Sequence, residues 1–482
     1  MKQNLINILL FRIKIIIFLV KYKCYIIYSF LLIDIVESDL KSVQKRKPKR
    51  IRDPLHGFIY LNSYELDILD SKPMQRLRHI NQLGLTYYVY PGATHKRFEH
   101  SIGTMEIATK LFNLLLRKNK KILIKQKDSS GLFDINDIDK YKQLLRIACL
   151  VHDIGHPPFS HASENVWNMD HESFSKDIIL SNEMKELIED RNPFDFEIKA
   201  EEVSYVVSNK PEIEDARLYF LKDILTGDLG VDRIDYLVRD SIHSGVSYGM
   251  FDYERLLDTF IVYPDEIEGK PILCLDYGGL HAAEGLILAR YFMFTQVYYH
   301  KIRSIYDLHL QQYIKEFLNY KLSLGIDYKE INNYLKLSDF EIYHQLQFDS
   351  KENQEIYRNK LANILLNRKH HKMIGEISRD EFSSISNPKL IFNEIKESIT
   401  NEYFDEVSKG NILFDQPNKR TNKFEEAKFQ ICNNGRLHHI KTQSELIRSL
   451  KNIDLFRVYV GRELDIDENI KKLIRKIKRQ YK

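Results

Sequence analysis

Six consecutive residues, Val151-His152-Asp153-Ile154-Gly155-His156, stand between a histidine upstream, His100, and a carboxylate downstream, Asp232. Two neutral imidazoles and two carboxylates make a mixed nitrogen and oxygen donor set. Such a set suits one borderline divalent ion: iron, manganese, nickel, cobalt or zinc. An ion held this way lowers the pKa of a bound water and polarises a phosphoryl oxygen. A His-Asp dipeptide by itself is more often a hydrogen-bonded pair at a helix end. Here His156, His161 and His171 add three more imidazoles within twenty positions, more than surface composition supplies.

The flanking patterns say how these groups are held. His100 closes Lys96-Arg97-Phe98-Glu99 and opens the apolar series Ile102, Met105, Ile107, Ala108, Leu111, Phe112, so it sits near the start of a core-facing helix. His152-Asp153 ends the run Leu144 to Val151, apolar all round apart from Arg146, as a buried central helix requires. A His and an Asp at such a helix end are costly unless paired, and metal ligation satisfies both. Gly155 and Pro157-Pro158 then stop the helix. Asp232 opens another helix through Asp240.

Four segments carry a resemblance: Gln75-Arg76-Leu77-Arg78-His79-Ile80-Asn81-Gln82-Leu83-Gly84, Tyr90-Pro91-Gly92-Ala93-Thr94-His95-Lys96-Arg97-Phe98-Glu99-His100-Ser101, His152 to His161, and Gly227 to Tyr236. In this order, from about Lys49 to about Arg303, the chain resembles the HD-domain deoxynucleoside triphosphate triphosphohydrolases, dGTPase-like enzymes. The resemblance implies cleavage of a dNTP to deoxynucleoside and inorganic triphosphate, with Mg on the nucleotide phosphates beside the divalent ion of the HD site. It makes His161 the general acid, with His156 and His171 on the phosphates and Glu164 and Glu172 orienting the imidazoles. It places Arg97, Arg233, Arg290 and Lys301 on the phosphates. Gln82, Leu83, Tyr236, Asp240 and Tyr298 fall at the nucleoside end, where a tyrosine under the sugar leaves little room for a 2′-hydroxyl. Lys49, Asp70, Gln75 and Arg78 match positions that read a regulatory nucleotide at subunit interfaces, which implies a homotetramer or homodimer. Two other functions stay open: an HD-type phosphohydrolase acting on another nucleotide, and a non-catalytic nucleotide sensor. A further His-rich motif expected of a cyclic-dinucleotide enzyme is absent.

The fold expectation is mainly α: an HD-domain helical core with a small β-hairpin (Phe260–Tyr263 with Ile272–Leu275), followed by an α+β C-terminal region. The divisions fall at 1–48, 49–330 and 331–482. Helical patterns lie at 73–83 and, as one long apolar helix, from Leu280 to Tyr306; short strands lie near 411–414, 427–432 and 455–460. At 482 residues the chain is long enough for one or two substantial cores. Seventy-two basic against 68 acidic residues leave +4, a near-balance that does not indicate nucleic acid. The basic run Lys471–Arg479 reads as a solvated helix face. Four cysteines without CxxC spacing read as reduced thiols, hence a cytoplasmic protein. Residues 1–48 read as an upstream extension and linker. A membrane anchor through residues 1–36 is disfavoured by Arg12 and Lys14 inside the first apolar run.

Overall fold

The computed structural model describes residues 47–125, 131–167, 170–208, 215–264, 271–353, 355–379, 381, 388–416 and 428–481. The N-terminal apolar runs lie outside them. Residues 47–50 and 60–66 belong to a small unit; residues 51–59 and 67–481 belong to a large one, which holds every candidate site residue except Lys49. No helix among the described residues is long and apolar enough to cross a membrane.

Strands β1 (Lys49–Asp53) and β2 (Gly57–Leu61) form a two-stranded sheet at the entry. The first long helix, α1 (Arg97–Lys118), is set by its own sequence. Lys96 is extended, and the Glu99 side chain accepts the Lys96 backbone N–H at 2.7 Å, closing the first turn. Ile102, Met105, Leu111 and Phe112 then bury one face. Helix α2 (Ile138–Val151) packs along α1, and its last eight residues are fully buried except Arg146. Each such Leu or Ile stabilises by roughly 1.5–3 kcal/mol, which makes α2 a rigid base for the charged residues at its end.

Helix α3 (His171–Ile179) docks against the turn after α2 because Gly155 has no side chain. A Cβ there would lie 2.1 Å from the Ser175 nitrogen and 2.3 Å from the His171 oxygen. Helix α4 (Val231–Ser244) crosses α1 at Gly103, where a Cβ would meet both Arg239 and Asp235 at 2.2 Å. On α4 the spacing 232, 235, 236, 239, 240 turns four charged groups and a tyrosine toward one side of the helix.

The hairpin is formed by β3 (Phe260–Tyr263) and β4 (Ile272–Asp276), antiparallel. The long helix expected from Leu280 to Tyr306 is broken. Helix α5 (Leu280–Met293) runs into a π-turn over Phe294–Tyr298, and α6 (Lys301–Ser323) starts afresh. His300 is extended and its Nδ1 accepts the Ile302 N–H at 3.3 Å as an N-cap. The apolar pattern runs unbroken through this point, and tertiary demand on Tyr298, described below, imposes the break. The expected 73–83 helix is likewise short: Lys72–Arg76, then one 3-10 turn to His79, because Asn81 bridges to Lys96 instead.

The C-terminal region contains α7 (Asp339–Asp349). It then builds a three-stranded sheet from β5 (Lys372–Ser378), β6 (Ile412–Asp415) and β9 (Leu455–Val460), in the order β5-β9-β6 and antiparallel throughout. Helices α8 (Pro388–Glu402) and α9 (Asp467–Gln480) supply Ile391, Phe392, Ile395, Ile470, Ile474 and Ile477 to a second core over this sheet. The basic run is therefore the outer face of an amphipathic helix. Strands β7 (Gln430–Asn433) and β8 (Arg436–His439) pair around an Asn434-Gly435 turn, and β7 adds in parallel to β4 to give the sheet β3-β4-β7-β8. The architecture is mainly α with an α+β C-terminal region, as the sequence predicts.

Candidate metal centre and its surroundings

His100 in the first turn of α1, His152 and Asp153 at the end of α2 and Asp232 in the first turn of α4 meet at one point. His100 Nε2 lies 3.0 Å from Asp232 Oδ1 and 3.6 Å from Asp153 Oδ2. His152 Nε2 lies 3.3 Å from Asp153 Oδ1 and 3.7 Å from Asp232 Oδ1. Donor atoms sharing an ion at about 2.1 Å sit roughly 3.0–4.2 Å apart, depending on the angle between them, so these distances are compatible with a common ion.

The tautomers agree. His100 Nδ1 donates to Asp235 Oδ2 at 2.8 Å, and His152 Nδ1 donates to the Cys149 carbonyl at 2.7 Å. Both Nε2 atoms therefore face inward, and that of His152 is buried without a hydrogen-bond partner. Burial opposes an imidazolium at His100, but the hydrogen bonds its ring donates to Asp232 and Asp235 outweigh it and lift that group to about 10. Burial also works against the Asp153 and Asp232 carboxylates. Arg97 and His152 hold Asp153, and His100 and His152 hold Asp232, well below the usual carboxylate range. The pocket calls for positive charge, and a divalent ion on His100, His152 and Asp153, with Asp232 against both imidazoles, fits it.

Several supporting residues were not anticipated. Asp235 takes, besides His100, the His56 ring at 2.7 Å and a two-pronged ion pair from Arg239 at 2.8 and 2.9 Å; Arg239 continues to Asp53 at 2.9 Å. All of these side chains are buried. This chain fixes the His100 ring and raises its basicity.

Beside the ion site lies a second group. The His156 and His171 rings stack at 3.8 Å, with His161 edge-on 4.8 Å from His156 and 5.2 Å from His171. Glu164 joins them: its Oε2 accepts from His161 Nδ1 at 2.8 Å and its Oε1 from His171 Nδ1 at 2.6 Å and from the His171 backbone N–H at 3.2 Å. Burial disfavours charge on His171, but Glu164 reverses this and raises its pKa. The His161 side chain is about half exposed, yet enclosure of its ring among its neighbours lowers it despite the same carboxylate; burial with Arg97 nearby keeps His156 neutral. Glu172 is half-buried one residue past His171, and its charge acts on Lys222; the imidazole bonds run to Glu164.

The remaining candidates divide. Arg97 is buried, bonded to Asp153 Oδ2 at 2.6 Å and Ser160 Oγ at 2.7 Å, and so ties the ion site to the histidine loop. Tyr236 on α4 lies within the electrostatic reach of Arg290, Arg233, Asp232 and Asp240. Arg233 donates to the Asp228 carbonyl at 2.5 Å. Asp240 accepts from the Tyr298 hydroxyl at 2.6 Å, the contact that the π-turn after α5 makes, and from the unanticipated His95 at 2.7 Å. Leu83 is buried, and the buried Gln82 Oε1 has no partner among the described residues. Lys301 has an exposed side chain; its carbonyl accepts from the Tyr459 hydroxyl. Asp70, Gln75 and Arg78 form a separate surface group. Arg78 donates to Gln75 at 2.9 Å, stacks over Phe98 at 3.5 Å and feels the Asp70 charge. Lys49 is exposed in β1.

Comparison with known proteins bears on the same residues. A family model described as HD domain matches residues 97–240, and one described as HD associated region matches 251–463. An uncharacterised protein of Methanocaldococcus jannaschii is 34% identical over 315 residues, 65% of this chain and 60% of its own length. The deoxynucleoside triphosphate triphosphohydrolase SAMHD1 homolog of Dictyostelium discoideum is 28% identical over 349 residues, 71% of this chain and 63% of its own. The crystal structure of a hypothetical protein from Aquifex aeolicus superposes with a TM-score of 0.69 at 32% identity, covering 89% of this chain and all of that one. The chain spans about 60% of the length of these two curated relatives.

Proposed function

This chain belongs to the HD-domain family, and from that premise we propose that it is a metal-dependent phosphohydrolase cleaving dNTPs, dGTP among them, to deoxynucleoside and inorganic triphosphate. The observation that carries the reading is the convergence of His100, His152, Asp153 and Asp232 beside imidazoles that share Glu164. Likeness to a relative named as a dNTP triphosphohydrolase supports the choice of substrate.

A bound divalent ion (iron, manganese, nickel, cobalt or zinc) would acidify a water and polarise the α-phosphoryl group. The chain's own residues do the rest. Water oxygen joins the α-phosphorus, the bond to O5′ breaks, and His161 gives O5′ its proton. His156 and His171 face the phosphates, with Arg97, Arg233, Arg290 and Lys301 opposing their charge and Mg travelling with them. Gln82, Leu83 and Tyr236 border the sugar, whose 3′-hydroxyl donates to Asp240; Tyr298 fixes that carboxylate. Assembly as a homotetramer or homodimer, with a regulatory nucleotide read by Lys49, Asp70, Gln75 and Arg78, belongs to the same proposal.

The test incubates the purified chain with each dNTP and each metal in water enriched in oxygen-18. Deoxynucleoside should form with inorganic triphosphate carrying the label. Pyrophosphate and nucleoside monophosphate as products, or label in the nucleoside, would overturn the reading.

A further inference from the structure

The turn that carries His161 is held only in part by its own bonds, Ser160 N–H to the Pro157 carbonyl at 2.9 Å and Ser163 Oγ to the Pro158 carbonyl. Phe159 and Ser160 have φ of 60° and 56°, the left-handed region that non-glycine residues seldom enter, let alone in succession. Something outside must hold them there. That something is Asp339, the first residue of α7, some 180 positions downstream. Its Oδ1 accepts the Phe159 backbone N–H at 2.6 Å and its Oδ2 the Asn81 backbone N–H at 2.8 Å. The carboxylate is 1% exposed, so water does not compete for either bond.

The same short segment reaches the loop after α2 by one more direct bond and by a bridge through Arg76. The Tyr334 hydroxyl donates to the Gly155 carbonyl at 2.6 Å. Arg76 donates to the Leu337 carbonyl at 2.7 Å and to the Ile154 carbonyl at 3.3 Å. Residues 334–339 thus grip the loop from Ile154 to Phe159, between the Asp153 carboxylate and the His161 ring.

We propose that Asp339 is the positioning residue that aims His161 at the reacting centre by holding Phe159 and Ser160 in their left-handed conformation. The inference rests on the function proposed above and adds a part of the molecule beyond the ion-binding helices. The two arms of Asp339 are unequal. The Asn81 strand keeps other anchors: the Asn81–Lys96 bridge, Gln82 N–H to His95 and Arg97 N–H to Ile80. The Phe159 N–H has no other partner among the described residues. Ser160 keeps Arg97 and the Asn81 carbonyl on its hydroxyl, so loss of the carboxylate frees the Phe159 end of the His161 turn and leaves the sugar end in place.

Two measurements on the full, metal-loaded chain test this. In Asp339→Ala, which removes both accepting oxygens, kcat should fall by roughly 10²-fold, the effect of an ångström-scale misplacement, with KM within about threefold and metal content unchanged. A loss of metal, a KM that rises as much as kcat falls, or a wild-type kcat would each overturn it. Hydrogen exchange by mass spectrometry gives the second readout and needs no activity. In wild type the two bonded amides of the peptide spanning 157–161, Phe159 and Ser160, should exchange slowly although they lie in loop; in Asp339→Ala they should speed up while α1 and α2 do not. Fast exchange of these amides in wild type overturns the inference even if no variant folds. Absence of turnover on every nucleotide with slow exchange intact would refute the proposed function and leave the grip of Asp339 standing.

Discussion

Replacing Glu164 with Gln leaves the shape of the site almost unchanged and removes one negative charge from between two imidazoles. Three hydrogen bonds end on this carboxylate, from His161, His171 and the His171 backbone, at 2.6 to 3.2 Å. A glutamine offers one accepting oxygen and turns an NH₂ toward the other ring, so one imidazole N–H loses its acceptor. A hydrogen bond to a charged group contributes about 1.5–3 kcal/mol, equivalent to about 10–10²-fold in rate when it holds the transition-state geometry. The pH dependence has a definite sign. Glu164 raises His171 above its ordinary value and pulls His161, the proposed proton donor, in the same direction, so both imidazolium forms persist to higher pH than they would without it. In Glu164→Gln the high-pH limb of kcat should move to lower pH. Stability follows the same linkage: the His171–Glu164 contribution is complete below the ordinary histidine value near 6.5 and is lost as pH rises through the raised folded one. The Tm difference between wild type and variant should therefore be larger at pH 6 than at pH 9. Deoxynucleoside release by chromatography across pH 5.5–9, with calorimetry alongside, reads both. A kcat within threefold of wild type and an unmoved high-pH limb would refute the account.

Asp153→Ala removes a charged donor and leaves Arg97 buried without its partner; metal content by plasma mass spectrometry should fall below one per chain and turnover with it, and full stoichiometry would exclude Asp153 as a ligand. His161→Ala should retain the ion and bind dNTP while kcat drops by about 10²–10⁴-fold; activity within a few-fold of wild type would move the proton to another histidine. Asp235→Asn should weaken metal affinity by about 10–100-fold through the His100 ring it orients, and chelator competition would detect an unchanged constant. Prolonged chelation should abolish turnover, and re-addition of one of the candidate ions should restore it.

How much of this the sequence revealed depends on how far each partner lies along the chain. His100, His152, Asp153 and Asp232 were legible because each is a rare polar residue at the end of an apolar pattern, where burial demands an explanation. His56, His95 and Asp339 were not, because each acquires its meaning from a residue 145 to 180 positions away. Asp235 was more accessible, one helical turn beyond Asp232. The break at His300 left no mark, since neither Gly nor Pro signals it and the apolar pattern continues. Strand β8 did leave a mark: Asn434-Gly435 between alternating residues is a two-residue hairpin signal. Strand β5 alternates weakly, being partly exposed along most of its length, and its pairing with β9 bridges some eighty residues.

The parallel ladder from Leu275–Asp276 to Ile431–Cys432 has a consequence for how the chain is made. When β3 and β4 leave the ribosome, the far side of Ile272–Asp276 is an open, apolar sheet edge. Its cover, β7, is synthesised roughly 150 residues later, about 8–30 s at ordinary translation speeds. During that interval the nascent chain presents a template for pairing with another molecule. A stop codon or proteolytic cut between α6 and β7 would make the exposure permanent, so fragments ending there are expected to aggregate although they retain His100, His152, Asp153 and Asp232.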